Sequence, residues 1–344
     1  MSKKVALITD THYGAKKGSQ ILHDYFEKFY TETFFPELDK RGIDTVMHLG
    51  DVFDVRKGID YWSLDWAKRV VFDPLRERNI DTRIIVGNHD IFYKQSLKIN
   101  SPGLNLTEYT NVTTYSEPQT INVKGTDVFL IPWVCEENAE EFVKQRDASK
   151  AKVAMGHLEI AGFYANSTYL VQHGLDIGIF SQFEQVFSGH FHKKNASGNV
   201  TYLGNPYQMY WNDEGDIRGF HIYDLETGEL EFIPNPNHLF SKIYYKEGML
   251  LKPSKYRDTY IKIIVEQQSS PVKLSNFIDK LYKVGVHDIK VIENFDLSID
   301  DDVEIESEDT LTTLAKYVEA MDDSVNKESV VDIFRSLYVE AQEV

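Results

Sequence analysis

Five short polar motifs, each placed directly after an apolar run of strand length, constrain the fold of this chain more than any other feature of its sequence. The apolar runs alternate with helix-like stretches near residues 19–41, 61–79 and 136–146. Alternation at this spacing predicts an α/β fold in which helices cover the sheets. The predicted strands span residues 4–9, 45–49, 83–86, 128–131, 152–155 and 185–187.

The motifs read DTH from Asp10, GDVFD from Gly50, GNHD from Gly87, GH from Gly156 and GHFH from Gly189. Ligands of α/β sheets gather beyond the carboxyl ends of the strands, so the polar side chains of these motifs are expected to meet. Two carboxylates, one amide and four imidazoles are candidate metal ligands: Asp10, His12, Asp51, Asn88, His157, His190 and His192.

The ligand types predict the kind of metal site. Carboxylate, amide and imidazole ligands with open positions suit manganese, iron or zinc. Seven ligands are too many for one catalytic ion that must also bind water and substrate, but they suit two ions that share a bridging carboxylate. Six other histidines are expected to be structural: His23, His48, His173, His221, His238 and His287.

Composition excludes several classes of protein. The chain has 344 residues, of which 42% are hydrophobic, so it can bury a sizeable core. The single cysteine, Cys135, excludes a disulfide scaffold and a thiolate zinc site, and it is expected to be a small buried hydrophobe. No apolar run approaches the roughly 20 residues of a membrane span, and no signal-peptide core is visible. The expected location is the cytoplasm.

The sequence changes character after a boundary marked by Pro234 and Pro236. A hairpin that turns at Thr227 and Gly228 precedes this boundary, and a strand–helix–strand pattern follows it, with the helix near 272–284. The formal charge of the chain is −17, and residues 296–344 contain fifteen acidic and three basic residues, a net of −12. The acidic run that begins this segment favours a solvated linker, which two amphipathic helices follow.

The ordered series of motifs is similar to that of the calcineurin-like metallophosphoesterases. More closely, the stretches GDVFDVRK, VGNHDIFYK, LIPWVCEEN and SGHFH resemble the nuclease subunits of the meiotic-recombination and SbcCD-type double-strand-break repair complexes, and their phage-encoded members in particular. The resemblance covers roughly residues 1–240. It implies a helix-flanked β-sandwich nuclease domain over 1–237, a small α/β DNA-capping domain over 238–295, and an acidic linker with a helical ATPase-binding tail over 296–344.

The resemblance also implies a role for each site residue. Asp10, His12, Asp51 and His192 are expected to hold the first of two divalent metal ions, with manganese as the expected metal. Asp51 is expected to bridge to the second ion, which Asn88, His157 and His190 complete. His89 is expected to be the general acid that protonates the leaving oxygen, and Asp90 is expected to orient it.

The implied function is a two-metal-dependent DNA nuclease, an exonuclease on double-stranded ends and an endonuclease on single-stranded DNA. It is expected to act in recombination and double-strand-break repair, as a homodimer formed by the nuclease domain, with a coiled-coil ATP-binding-cassette ATPase. One alternative is another calcineurin-like enzyme, a protein phosphatase or a nucleotide phosphodiesterase. Phosphatases of that superfamily typically read GDxVDRG and GNHE, whereas this chain reads GDVFDVR and GNHD. The other alternative, a non-catalytic scaffold, is disfavoured because all seven ligands are present.

Basic and aromatic residues near the motifs are candidates for contacts with DNA. The expected phosphate contacts are Lys16, Lys17, Arg56 and Lys57, although each can equally be an ordinary solvated cation. Tyr93 is the candidate for stacking on a base. Tyr13 and Phe92 are open to the same interpretation or to packing, and packing is favoured for Phe92.

The last predicted helix carries one apolar stripe, formed by Val330, Ile333, Phe334, Leu337 and Tyr338. Such a helix can pack on its own domain. The acidic linker before it favours instead a helix-in-groove interaction with the coiled coil of the ATPase.

Removal of residues 300–344 is expected to leave manganese-dependent nuclease activity in place and to abolish stable association with the ATPase. The proposed ligands all lie before residue 193, whereas each buried side chain of the stripe contributes roughly 1.5–3 kcal/mol to an interface. Co-sedimentation measures the association, and Phe334→Asp in the full-length chain should weaken it more than a charge swap in the linker. Full-strength binding by the truncated chain, or its precipitation, would contradict docking through the tail.

Overall fold

The computed structural model describes residues 3–165, 170–266, 270–293 and Val330. The strands are β1 Lys4–Ile8, β2 Thr45–His48, β3 Asp81–Ile85, β4 Ile91–Tyr93, β5 Ser96–Asn100, β6 Val112–Tyr115, β7 Gln119–Val123, β8 Thr126–Ile131, β9 Val153–His157, β10 Gln185–Gly189, β11 Asn195–Ser197, β12 Val200–Tyr202, β13 Gly219–Asp224, β14 Leu230–Pro234, β15 Phe240–Tyr245, β16 Tyr260–Val265 and β17 Asp288–Glu293. The α-helices are α1 Ala15–Gly18, α2 Gln20–Phe29, α3 Phe35–Arg41, α4 Tyr61–Ala67, α5 Asp73–Glu77, α6 Ser101–Asn105, α7 Ala139–Ala148 and α8 Pro271–Tyr282.

Two six-stranded sheets form the predicted sandwich. The first has the order β14-β13-β1-β2-β3-β6, and the second has the order β11-β12-β10-β9-β8-β7. Leu7, Met47 and Ile85 of the first sheet share one buried cluster with Leu130 and Met155 of the second, so the sheets pack face to face. The α/β sandwich flanked by helices is therefore confirmed.

Helices cover the outer faces of both sheets. Leu22 and Phe26 of α2 belong to a cluster that lies against the first sheet, and Phe142 of α7 belongs to a cluster of the second. The stretches predicted near 19–41 and 61–79 are helical, but each contains a π-helical segment, at Tyr30–Phe34 and Lys68–Phe72. A proline follows each segment two residues later: Pro36 is the second residue of α3, and Pro74 is the second residue of α5. A proline lacks the N–H that an α-helix needs, so a wider turn before it is a local adjustment.

A third sheet follows Pro236, with three parallel strands in the order β15-β16-β17 and helix α8 between β16 and β17. Ile261 and Ile263 of β16 pack with Leu274, Phe277 and Leu281 of α8. The predicted strand–helix–strand unit is confirmed, and β15 is an additional strand that the sequence analysis missed. The division of the chain at 237 and 295 stays a prediction.

Of the tail residues assigned to partner binding, only Val330 lies within the described part of the chain, and its backbone is helical. Ile333, Phe334, Leu337 and Tyr338 lie outside it. None of the helices in the described ranges combines the length and the apolar character of a membrane-spanning segment.

Candidate metal centre

The five motifs meet at one edge of the sandwich because they follow strands whose carboxyl ends lie there. β1, β2 and β3 are parallel neighbours in the first sheet, and β9 and β10 are parallel neighbours in the second. Two hydrogen bonds join the two sets of loops. The backbone N–H of His190 donates to the carboxylate of Asp10 at 3.0 Å, and Nδ1 of His157 donates to the carbonyl of Leu49 at 2.7 Å.

Four candidate ligands have a left-handed backbone, which is uncommon for residues other than glycine. The φ angles are 52° at Asp10, 44° at His12, 55° at Asp51 and 89° at His190. Each turns the chain sharply just after its strand. Strained φ values of this kind concentrate at functional sites, where the surrounding structure holds them.

Two motif glycines are required by close approach. A Cβ atom on Gly87 would lie 2.2 Å from Oδ1 of Asp51 and 2.5 Å from its backbone nitrogen. A Cβ atom on Gly189 would lie 2.0 Å from Oγ1 of Thr9 and 2.9 Å from Nδ1 of His157. Both glycines therefore provide the space in which the ligands of a neighbouring loop lie.

The first group of ligands consists of Asp10, His12 and His192, whose ligand atoms lie within 4.8 Å of one another. Nε2 of His12 lies 3.1 Å from Nε2 of His192 and 3.8 Å from Oδ2 of Asp51. Asp51 therefore lies at the edge of this first group, beside the second group of ligands.

The second group consists of Asp51, His157 and His190, and Asn88 lies within it. Oδ1 of Asn88 is 2.9 Å from Nε2 of His157 and 3.0 Å from Nδ1 of His190. Oδ2 of Asp51 is 3.1 Å from the same His157 nitrogen. The structure thus brings all seven candidate ligands together, with Asp51 between the two groups.

The hydrogen bonds of His157 leave a place for a proton or a metal ion in this site. The Leu49 carbonyl can only accept, so Nδ1 of His157 carries a proton, and Nε2 of the neutral ring presents a lone pair to two oxygens. Lone pairs that converge in a buried site repel one another unless a proton or a metal ion lies between them. Burial lowers the pKa of His157, but the charge and hydrogen bond of Asp51, the charge of Asp10 and the contact with Leu49 together outweigh burial and raise that pKa to about 9.

The pKa values of three other site residues are also shifted by burial and by the charges of their neighbours. Burial lowers the pKa of His12, but its contact with Asp54 and the charge of Asp51 raise it to about 9. Burial and the neighbouring charge of His157 lower the pKa of His190 to about 3. Burial raises the pKa of Asp51, whereas the imidazoles of His157 and His89 bring it well below its ordinary value.

These donors fit two divalent ions. Asp10 and Asp51 are fully buried carboxylates, and the positive charges that face them come from imidazoles. Buried carboxylates are costly unless they are paired or coordinate a metal. Oxygen and imidazole donors around a shared carboxylate are compatible with a dinuclear site.

His89 lies beside both groups, and its partner differs from the expected one. Nδ1 of His89 donates to the carbonyl of Asp54 at 2.7 Å, so this carbonyl orients the ring. The carboxylate of Asp90 instead accepts from the backbone N–H groups of Gly87, Asp51, Val52 and Phe53, at 2.9–3.3 Å. The prediction that Asp90 orients His89 is therefore wrong. Asp90 joins the GDVF and GNHD loops, because four N–H groups of those loops can all be satisfied by one buried carboxylate.

Two further residues support the site, and the sequence analysis assigned no role to either. The carboxylate of Asp54 lies 3.3 Å from Nδ1 of His12, on the side of the ring away from the ligand groups. Arg218 is buried, donates to the carbonyl of His192, and pairs with Asp213 at 2.8 Å. Asp54 ends a motif and could have been found from that position. No motif in the sequence marks Arg218, because its contact with the carbonyl of His192 is created only by the fold.

The candidate DNA contacts differ in exposure. Lys16, Lys17 and Lys57 are exposed, and Arg56 is half-buried. Tyr93 is 57% exposed at the end of β4, on the hairpin that follows GNHD. These placements permit contact with a ligand.

The two aromatic residues that could either stack on a base or pack in the core, Tyr13 and Phe92, differ in exposure. Tyr13 is only 2% exposed and packs against Tyr30 and Phe53, so it is a core residue. Phe92 is 38% exposed and packs edge-on against Tyr93, so its position permits both packing and contact with a ligand.

The residues expected to be structural include three buried histidines. His23 and His48 form hydrogen bonds with Gly14 and Thr11, and His221 lies in β13. Cys135 is buried, as expected.

Gly87→Ala is expected to reduce metal binding sharply, because the new methyl group would collide with both the carboxylate and the backbone of Asp51. The cost of overpacking is roughly 1–3 kcal/mol if the loop can shift, and the shift would displace the shared ligand. Gly58→Ala is the matched control, because a Cβ atom there meets nothing within 4 Å. Elemental analysis after manganese loading and desalting measures the difference. Equal metal content in the two variants would contradict the close approach.

Comparison with known proteins gives matches over the same region. The sequence profile described as calcineurin-like phosphoesterase matches residues 3–194. The chain is similar to exonuclease subunit 1 of Enterobacteria phage T4, with 35% identity over 306 residues, which cover 88% of this chain and 89% of that protein. It is also similar to the DNA double-strand break repair protein Mre11 of Methanocaldococcus jannaschii, with 27% identity over 55% of this chain and 53% of that protein. One subunit of the SbcCD nuclease of Staphylococcus saprophyticus is 21% identical over 67% of this chain and 68% of that protein.

Proposed function

The chain belongs to the calcineurin-like phosphoesterase family, in the group that contains exonuclease subunit 1 of phage T4, and from this premise we propose that it is a two-metal DNA nuclease. The observation that carries the proposal is the position of Asp51. Its carboxylate lies 3.8 Å from Nε2 of His12 in one ligand group and 3.1 Å from Nε2 of His157 in the other. A carboxylate in this position can serve two ions at once.

The proposed ligands are divided between the two ions. Asp10, His12 and His192 would hold one, and Asn88, His157 and His190 would hold the other, with Asp51 shared. When bound, two such ions would clamp a phosphodiester and lower the pKa of a bound water. The backbone N–H of His89 donates to Oδ1 of Asp51 at 2.8 Å, which fixes the direction in which the shared carboxylate points.

His89 is the proposed general acid. Its Nδ1 proton is held by the Asp54 carbonyl, so the second proton of the imidazolium resides on Nε2. The ring meets that of His12 edge-on at 4.8 Å between centroids, and its ligand atom lies within 4.8 Å of those of His12 and Asp51. In the proposed mechanism, the proton on Nε2 would pass to the oxygen that leaves the phosphorus.

The carboxylate of Asp54 and the side chain of Arg218 position the ligands. Asp54 contacts Nδ1 of His12, so the opposite nitrogen, Nε2, is the one that would bind a metal ion. Arg218 holds the carbonyl of His192 and is itself held by Asp213 and Asp216. Neither residue needs to touch substrate to affect metal binding.

The finer parts of the proposal are the substrates, the metal and the partners. The names of the relatives, an exonuclease subunit, a double-strand break repair protein and a subunit of a nuclease, support cleavage of DNA in an assembly of several chains. We therefore retain exonuclease action on double-stranded ends, endonuclease action on single-stranded DNA, manganese as the metal, a homodimer, and an ATP-binding-cassette ATPase that binds the tail. Lys16, Lys17, Arg56, Lys57 and Tyr93 remain the proposed DNA contacts.

The direct test is an assay of the purified protein with manganese on linear duplex DNA, circular single-stranded DNA and p-nitrophenyl phosphate esters. A nuclease should cleave DNA and the diester bis-p-nitrophenyl phosphate in preference to the monoester. Preference for the monoester would favour a phosphatase instead. Loss of all activity in the presence of bound manganese would favour a scaffold.

His89→Ala is expected to slow DNA cleavage by about 10²–10⁴-fold, because a general acid typically contributes that factor, while both metal ions stay bound. The loss should be much smaller with bis-p-nitrophenyl phosphate, because p-nitrophenolate leaves without protonation. His238→Ala, an exposed histidine away from the motifs, is the control.

Kinetics on both substrates, together with metal analysis, separate the possible roles of His89. Loss of metal from the His89 variant would make this residue a ligand. An equal loss on both substrates would contradict proton donation.

A further inference from the structure

A series of buried hydrogen bonds begins at the start of the third sheet. The side-chain oxygen of Gln208 accepts from the backbone N–H groups of Leu239 and Phe240, each at 2.9 Å. Phe240 is the first residue of β15, Leu239 precedes it, and both are buried. A buried donor without a partner is costly, so this one amide oxygen helps to fix β15 against the sandwich.

The side-chain nitrogen of Gln208 continues the series. It donates to the backbone carbonyl of Asp213 at 3.2 Å. The carboxylate of Asp213 in turn accepts from the backbone N–H groups of Met209 and Tyr210, at 2.8 and 2.9 Å. Gln208 and Asp213 therefore close one short loop, in which a shift of one residue displaces the other.

The series ends at a proposed metal ligand. The guanidinium of Arg218 pairs with the carboxylate of Asp213 at 2.8 Å and donates to the backbone carbonyl of His192. We call Gln208, Asp213 and Arg218 the polar bridge. Each of the three is at most 6% exposed, and hydrogen bonds that water cannot reach are stronger than those at the surface.

The guanidinium of Arg218 can transmit a displacement because it is planar and its donors point in fixed directions. Nη2 faces Asp213, whereas Nη1 faces the carbonyl of His192 and the side-chain oxygen of Asn205. The backbone N–H of Asn205 also donates to the His192 carbonyl, at 3.1 Å. A shift of Asp213 would therefore turn the guanidinium and move the backbone of His192 with it.

We propose that the polar bridge makes the position of the third sheet and the binding of a metal ion at His192 depend on each other. Gln208 is then a positioning residue: it acts on His192 through the other two residues of the bridge and touches neither metal nor substrate. The inference rests on the ligand role of His192 in the proposed function. Coupling of this kind is reciprocal, so metal binding must also stabilise the contact between Gln208 and β15.

Gln208→Glu separates the two ends of the bridge. A carboxylate can still accept from the N–H groups of Leu239 and Phe240, but an ionised one has no proton to donate to the carbonyl of Asp213. Gln208→Met is a second variant, which removes both contacts with an unbranched side chain. Neither variant changes a proposed metal ligand.

Gln185→Glu is the matched control. Gln185 accepts from the hydroxyl of Tyr223 at 2.6 Å and donates to the carbonyl of Gly228 at 3.0 Å, so the same substitution again keeps an acceptor and removes a donor. β10 begins at Gln185, whereas the ligand His190 follows the other end of this strand. The control therefore disturbs a comparable pair of hydrogen bonds without touching the bridge.

Both Gln208 variants should weaken the binding of one of the two manganese ions roughly tenfold, as expected when a contact that orients a ligand is lost. Titration followed by the electron paramagnetic resonance signal of free manganese measures both affinities. Manganese should also slow hydrogen exchange at the amides of Leu239 and Phe240 in the unmodified chain, and Gln208→Glu should remove this slowing. Gln185→Glu should leave the affinities and the slowing unchanged.

The exchange measurement separates coupling from a purely structural role, because loss of stability alone gives no response of β15 to manganese. Unchanged affinities in both Gln208 variants, or equal losses in Gln208→Glu and Gln185→Glu, would overturn the inference. Exchange in β15 of the unmodified chain that does not respond to manganese would also overturn it. No step of this test uses DNA, so a failure of DNA cleavage would contradict the proposed function and leave the result on the bridge in place.

Discussion

The whole metal centre depends on one arrangement of lone pairs. Nε2 of His157 faces oxygens of Asp51 and Asn88 at 3.1 and 2.9 Å, while the Leu49 carbonyl holds the proton of this ring on Nδ1. In a buried site this arrangement is stable only with a proton or a metal ion among the donors. Loops from both sheets must meet to form it, so the packing of the sandwich and the binding of metal are coupled.

Bringing the ligands together strains the backbone, and hydrogen bonds between the loops offset that strain. Left-handed φ values at Asp10 and Asp51 direct the carboxylates inward immediately after β1 and β2. Four backbone N–H groups that donate to Asp90 hold the loops after β2 and β3 in that form. Gly87 and Gly189 provide the necessary space. Rigid support of this kind fixes ligand geometry before any ion or substrate arrives.

Much of this was predictable from the sequence because the ligands follow strands with strong apolar patterns. The placement of all seven ligands followed from the motifs and the strand ends. The partner of His89 did not, because a backbone carbonyl such as that of Asp54 leaves no trace in residue types. Arg218 was missed because its contact with His192 spans 26 positions and two strands. β15 was missed because its polar residues Ser241 and Lys242 interrupt the apolar pattern.

The central claim is that Asp51 is shared by two metal ions, and anomalous scattering from crystals soaked in manganese tests it most directly. The account predicts two peaks per chain, roughly 3.5–4 Å apart, with one carboxylate oxygen of Asp51 within bonding distance of both. Asp10, His12 and His192 should surround one peak, and Asn88, His157 and His190 should surround the other. A single peak at saturating manganese, or two peaks of which Asp51 contacts only one, would contradict the account.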